Sequence, residues 1–120
     1  MTYTKEKLAE IEQQMLNVAH DAAQEYFQRY LDGVDRGCCG FAWVNVYPKH
    51  PDGRTKGGRR ERLTLEALGF RKDWTGKAYE YWNPSQFPAQ NIDTLAAGAR
   101  AAAEYLKGLG FNAHAGSRLD

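Results

Sequence analysis

The segment GCCGFAWVNVYP, at residues 37–48, is the only long run of β-branched and aromatic residues in the chain. It predicts the strand around which the sheet is built, and glycine and proline mark its ends. Successive side chains of a strand point to opposite faces, so the small residues separate from the aromatic ones. The small residues, which suit a closely packed helix, are Ala42, Val44 and Val46. The aromatic residues, which form either a second packed face or a surface for a partner, are Phe41, Trp43 and Tyr47.

The size and composition of the chain predict one folded domain over residues 1–120. Hydrophobic residues make up 42% of the sequence, which argues against wholesale disorder. The formal net charge of +1 argues against a DNA mimic and against a protein that coats DNA nonspecifically. No segment approaches the roughly 18 apolar residues of a membrane span, and the polar N-terminus does not resemble a signal peptide. We therefore expect a cytoplasmic protein without a membrane partner.

The first 35 residues predict a long N-terminal helix. Thr4 is a suitable N-cap, and no glycine or proline interrupts the chain from Lys5 to about Leu31. Apolar residues at steps of three and four give this helix one apolar face. The face packs on the sheet or, alternatively, pairs with its own copy in a homo-oligomer. Its members are Leu8, Ile11, Met15, Val18, Ala22, Tyr26 and Tyr30.

The remaining elements predict an α+β domain. A short helix covers about residues 59–68, with three leucines turned inward, and a strand covers residues 78–82. The last helix begins at Asn91 or Asp93, and a final strand covers residues 111–115. We expect about three strands, antiparallel or mixed, with the long N-terminal helix and two further helices mainly on one face. The inward leucines of the short helix are Leu63, Leu65 and Leu68.

A basic, glycine-rich loop is predicted at residues 49–62. It carries six Lys and Arg residues against two Asp and Glu residues, a net charge of +4. Backbone N–H groups, a helix N-terminus and several cations together favour an anion. The loop is not a Walker A motif, because Arg59 and Arg60 stand where Lys and Ser or Thr are required. The alternative is an ordinary solvated loop.

Aromatic residues on neighbouring strands suggest a second feature, since exposed rings on a sheet stack on nucleic-acid bases. Tyr79 and Tyr81, or Trp82, are candidates to lie beside the rings of the first strand. The alternative is that these rings belong to the core. Arg118 either joins the cationic group or lies in a frayed end. The predicted ligand-binding residues are Trp43, Lys56, Arg59, Arg60, Arg62 and Arg118.

Catalytic and metal-binding patterns are not evident in the sequence. The three histidines, at positions 20, 50 and 114, have no metal-ligand spacing, and no nucleophile or paired-carboxylate motif occurs. Cys38 and Cys39 are adjacent, which excludes an ordinary structural disulfide between them, and we expect two buried or half-buried thiols. The expectation is a protein that is not an enzyme and that uses neither a cofactor nor a metal.

Four motifs resemble a recurring family of small proteins encoded by tailed bacteriophages. They are GFAWV at residues 40–44, YEYWNPS at 79–85, AGARAAAEYL at 97–106 and GFNAHAGSRLD at 110–120. The similarity covers the chain from about residue 40 onward. It implies a small non-enzymatic accessory protein that acts in the host cytoplasm by binding and neutralising a host component, and it assigns no site residues.

These patterns lead to one functional hypothesis and two alternatives. The protein is expected to bind and sequester a small anionic, nucleotide-like ligand as an anti-defence function. The first alternative is an inhibitor that binds a protein of a host defence complex. The second is a weak binder of single-stranded nucleic acid, whose affinity would fall steeply with salt.

Overall fold

A computed structural model describes residues 3–120, and the chain there forms three helices and four strands. One helix comes first along the chain, and a β-α-β-β-α-β series follows it. The elements are α1 (Lys5–Leu31), β1 (Gly40–Val46), α2 (Lys56–Ala67), β2 (Arg71–Lys72), β3 (Tyr79–Trp82), α3 (Ile92–Gly108) and β4 (Ala113–Leu119).

The four strands form one antiparallel sheet in the order β2-β3-β1-β4. From β1 onward, this is the element and strand order of the ferredoxin-like, split β-α-β arrangement. β1 is therefore a central strand, as its apolar sequence predicts. The register pairs Trp43 of β1 with Trp82 of β3 and with Gly116 of β4. These pairings fix which side chains share a face of the sheet.

The core lies between one face of the sheet and the helices. Ala42, Val44 and Val46 of β1 are buried there, which confirms the predicted helix-facing side of the strand. α1 and α3 pack closely against each other at Gly98 of α3. A Cβ atom at this position would lie only 2.9 Å from the carbonyl oxygen of Ala19 in α1. The prediction of helices mainly on one face is thus confirmed. No helix within residues 3–120 is long and apolar enough to cross a membrane.

Helix boundaries follow local capping. The Thr4 hydroxyl accepts a hydrogen bond from the Lys7 amide (3.1 Å), as the predicted N-cap requires. Thr55 caps α2 in the same way by accepting from the Gly58 amide (3.0 Å). α2 therefore begins at Lys56, three residues earlier than predicted, and only the first half of the predicted loop at residues 49–62 is a loop.

Two predicted apolar faces are wrong in detail. Beyond Met15, the buried positions of α1 are Ala19 and Ala23, each four residues further on, instead of Val18 and Ala22. In α2, Leu63 is 64% exposed, whereas Leu65 and Leu68 are buried. Residues two apart point to nearly opposite sides of a helix, so the predicted inward position of Leu63 is incompatible with that of Leu65.

The sheet is larger than the sequence predicts. Arg71–Lys72 adds a short edge strand, and β4 covers Ala113–Leu119 instead of residues 111–115. Phe111 lies between α3 and β4, where its amide donates to the Leu106 carbonyl (3.1 Å) and closes the end of α3. Arg118 consequently lies within a paired strand, opposite Phe41.

The adjacent cysteines are exposed, in contrast to the predicted buried or half-buried thiols. They precede β1 at one end of this central strand, where the Cys38 carbonyl accepts from the Ile92 amide (2.8 Å). The Cys39 thiol lies 3.4 Å from the side-chain oxygen of Gln90. The backbone of this segment is thus anchored at the start of α3, while its side chains remain on the surface.

Candidate functional site: the aromatic face

The sheet face that points away from the helices carries a group of aromatic rings around an arginine. We call this group the aromatic face and define it as Phe41, Trp43, Trp82 and Arg118. Two-residue alternation brings Phe41 and Trp43 of β1 to this side, and the register places Trp82 and Arg118 across from them. The central strands β1 and β3 therefore supply all three rings.

The rings of the aromatic face contact one another and remain accessible. The Trp82 ring centroid lies 5.0 Å from that of Trp43 and 6.1 Å from that of Phe41, the latter in an edge-on arrangement. Phe41 is 39% exposed and Trp82 is 44% exposed. Large apolar side chains in such numbers on one exposed surface are typical of a surface that contacts a ligand or partner.

Arg118 gives this apolar surface a positive charge. Its guanidinium carbon lies 5.6 Å from the centroid of Phe41 and 5.8 Å from that of Trp82, which is cation–π distance. It forms no ion pair with any residue between 3 and 120. The charge is therefore held between two rings and is available to an anion.

The two tryptophans of the aromatic face are held in place by different contacts. Trp43 lies directly over Gly116, since a Cβ atom at position 116 would be 2.6 Å from the indole ring. Only a glycine leaves room for the ring on β4. Trp82 is oriented by a hydrogen bond from its indole N–H to the Glu80 carboxylate (2.8 Å). Trp43 thus forms the base of the aromatic face, and Trp82 presents the more exposed ring.

Asn45 follows Trp43 on the same side of β1, between Glu80 and His114 in the register. Its side-chain oxygen is buried and has no hydrogen-bond partner among residues 3–120. Buried acceptors without a partner are rare in folded proteins.

The structure divides the six predicted binding residues among three places. Trp43 and Arg118 lie together in the aromatic face. The cations Lys56, Arg59 and Arg60 line a groove between α1 and α2, beyond the other end of β1. Arg62 donates to the carbonyl oxygens of Gly58 and His50 (3.1 Å each) and so anchors the loop before α2.

The sequence left open which aromatic residues of residues 78–82 join β1, and the structure selects Trp82. Tyr79 and Tyr81 pair with Val46 and Val44 and therefore face the helices. The Tyr81 hydroxyl donates to the Glu12 carboxylate (2.7 Å). Burial, together with this hydrogen bond and the nearby negative charge, raises the pKa of Tyr81. Because side chains alternate between the two faces along the strand AYEYW, Trp82 points to the opposite face of the sheet from both tyrosines.

Comparison with known proteins gives no relative for this chain. No family model matches it, and no curated protein or solved structure matches it either.

Proposed function

We propose that the protein binds a nucleotide-like anionic ligand on the aromatic face and holds it without chemical conversion. In this proposal a base stacks on Trp82 or Phe41 while a phosphate group pairs with Arg118. The position of the Arg118 guanidinium between two exposed rings carries the proposal. A cation beside an aromatic surface matches the two chemical parts of a nucleotide.

The expected affinity follows from these contacts. Stacking on an exposed ring contributes about 1–3 kcal/mol per base. A charge-assisted hydrogen bond from Arg118 to phosphate contributes about 1.5–3 kcal/mol. Together they give about 2.5–6 kcal/mol, a range that includes a Kd of about 1 mM for one nucleotide. A ligand with two bases would occupy both Trp82 and Trp43 and would bind more tightly.

Sequestration in a bacteriophage-infected host is the proposed biological context. It rests on the four motifs that resemble small proteins of tailed bacteriophages, at residues 40–44, 79–85, 97–106 and 110–120. A protein of this kind would lower the free concentration of a nucleotide-derived host signal by binding it. We propose no catalytic residue in the aromatic face.

Single-stranded nucleic acid is a second candidate ligand, because the rings of β1 form a row. Phe41, Trp43 and Tyr47 lie on the same side of the strand, and Tyr47 contacts His114 edge-on at 5.8 Å. Open sheets with aromatic residues on their central strands bind unpaired bases in this manner. Ligand length therefore distinguishes the candidates: affinity that grows with each added nucleotide favours a strand over a small molecule.

The test is a titration monitored by tryptophan fluorescence and by two-dimensional NMR, with adenosine, adenosine monophosphate, a cyclic dinucleotide and short oligothymidines as probes. We expect Trp82→Ala and Arg118→Gln each to weaken binding by about tenfold, which is 1.4 kcal/mol. Trp74 is a matched control, because it is 95% exposed in the turn before β3 and lies outside the aromatic face. Trp74→Ala should bind like the unmodified protein.

Two results would overturn the proposal. One is equal affinity of the unmodified protein, Trp82→Ala and Arg118→Gln for every probe. The other is a probe recovered in altered form after incubation, since the proposal excludes chemical conversion. Adenosine should bind more weakly than its monophosphate, because it lacks the group that pairs with Arg118.

A further inference from the structure

A cleft of about 250 Å³ lies at the end of β1, away from the aromatic face. It is bounded by the loop after β1, the first half of α2 and the connection from α3 to β4. Val46 lines it from the helix-facing side of β1, whereas Trp43 points to the other side. The cleft and the aromatic face therefore share no residue. We call it the basic cleft, and its polar and aromatic lining includes Tyr3, Lys49, His50, Arg60, Phe111 and Asn112.

Hydrogen bonds fix the wall that the loop after β1 provides. The Glu61 carboxylate accepts from the backbone amides of Lys49 (2.7 Å) and His50 (2.9 Å) and contacts the His50 ring nitrogen Nδ1 (2.9 Å). Arg62 holds the same loop through the His50 carbonyl. Gly57 lies under the His50 ring, where a Cβ atom would approach Nε2 to 2.7 Å. The wall is thus formed before any ligand binds, which reduces the entropy cost of binding.

The charge balance of the basic cleft favours an anion. Glu61 is the acidic residue of its lining, and three hydrogen-bond donors already surround that carboxylate. Lys49 and Arg60 form no ion pair with any residue in the described range 3–120. Lys56 and Arg59 line an adjoining groove that also contains Arg60. Two cations without carboxylate partners, Lys49 and Arg60, thus line the basic cleft, and two more lie in the adjoining groove.

Part of the remaining lining is apolar and would contact the organic part of the ligand. Val46, Leu109 and Phe111 contribute aliphatic and aromatic surface beside the cations. Two neighbouring cations, one of them a planar guanidinium, bind a phosphate dianion better than a carboxylate. We propose that the basic cleft is a second binding site, specific for a small phosphate monoester with an apolar or aromatic organic group. This site is independent of the function proposed for the aromatic face.

Phenyl phosphate is a suitable probe, and a ¹H–¹⁵N NMR titration of the full chain reports where it binds. We expect shifts at the amides of Gly57, Gly110 and Phe111, which border the cleft, and none at Phe41. Benzoate, a monoanion with the same ring, should bind more weakly. Arg60→Gln and Lys49→Gln should each weaken phenyl phosphate binding by about tenfold or more, as loss of a charge-assisted contact requires.

Arg54→Gln is the matched control. Arg54 is a cation of the same loop, but it pairs with Asp52 and does not line the cleft. The Arg54→Gln variant should bind phenyl phosphate like the unmodified protein. Thermal unfolding of each variant verifies that the variant is folded. Three results would overturn the proposal. The first is no shift at the cleft amides up to about 10 mM phenyl phosphate, well above a Kd of 1 mM. The others are equal affinity for benzoate and phenyl phosphate, or unchanged phenyl phosphate binding by folded Arg60→Gln and Lys49→Gln.

Discussion

Replacing Gly98 with alanine should destabilise the protein, although this exchange usually stabilises a helix. Inside a helix, alanine is favoured over glycine by about 1 kcal/mol. At this position the new Cβ atom would lie 2.6 Å from the Cβ atom of Ser85 and 2.9 Å from the Ala19 carbonyl oxygen. The carbonyl belongs to the backbone of α1 and cannot rotate away, and Ser85 is buried. Overpacking of this kind costs about 1–3 kcal/mol.

The packing cost should outweigh the helix preference, because the Ala19 carbonyl can move only if α1 and α3 separate. The difference between these two effects lowers the free energy of unfolding of Gly98→Ala by up to about 2 kcal/mol and Tm by roughly 5 °C. Gly108→Ala is the matched control in the same helix, since no atom lies within 4 Å of its new Cβ atom. It should be neutral or stabilising by up to about 1 kcal/mol. Urea denaturation measures both, and an equal gain in stability would refute the close packing of α1 on α3.

Two further predictions concern α2 and the basic cleft. Leu65→Ala should lower the free energy of unfolding by about 2–5 kcal/mol, whereas Leu63→Ala, at an exposed position, should change it by less than about 0.5 kcal/mol. Equal losses of unfolding free energy for the two variants in denaturant titrations would contradict the orientation of α2. Burial raises the pKa of Glu61, but hydrogen bonds from the Lys49 and His50 amides and the His50 ring outweigh it and lower the pKa below its usual value. The stabilisation from Glu61 is therefore complete above the unfolded-state pKa and is lost as pH falls through the lower folded-state pKa. Glu61→Gln should flatten the pH dependence of the unfolding free energy in that acidic range, and an unchanged slope would contradict this assignment.

Local sequence patterns predicted the features that depend on neighbouring residues. The alternation of Ala42, Val44 and Val46 identified the helix-facing side of β1, because the period of a strand is independent of its partners. Thr4 was identified as an N-cap because its hydroxyl binds an amide only three residues away. The α+β class followed from these local assignments together.

Features that depend on distant contacts could not be predicted. The proximity of Arg118 to Phe41 requires the register between β1 and β4, which no local pattern specifies. The glycines of residues 49–62 predict a loop, but the Thr55 cap and close contacts with His50 and Asp52 place Gly57 and Gly58 in α2. Glycine marks both flexible segments and positions of close approach, and the sequence alone does not distinguish them.

The position of β4 in the chain has a consequence for biosynthesis. β1 lies between two strands that are synthesised after it, so its pairing with both must wait for residues far along the chain. During translation, Phe41 and Trp82 are synthesised before Arg118. Gly116, on which Trp43 rests, arrives equally late. A nascent chain, or a proteolytic fragment that lacks β4, would carry the aromatic rings without the positive charge between them.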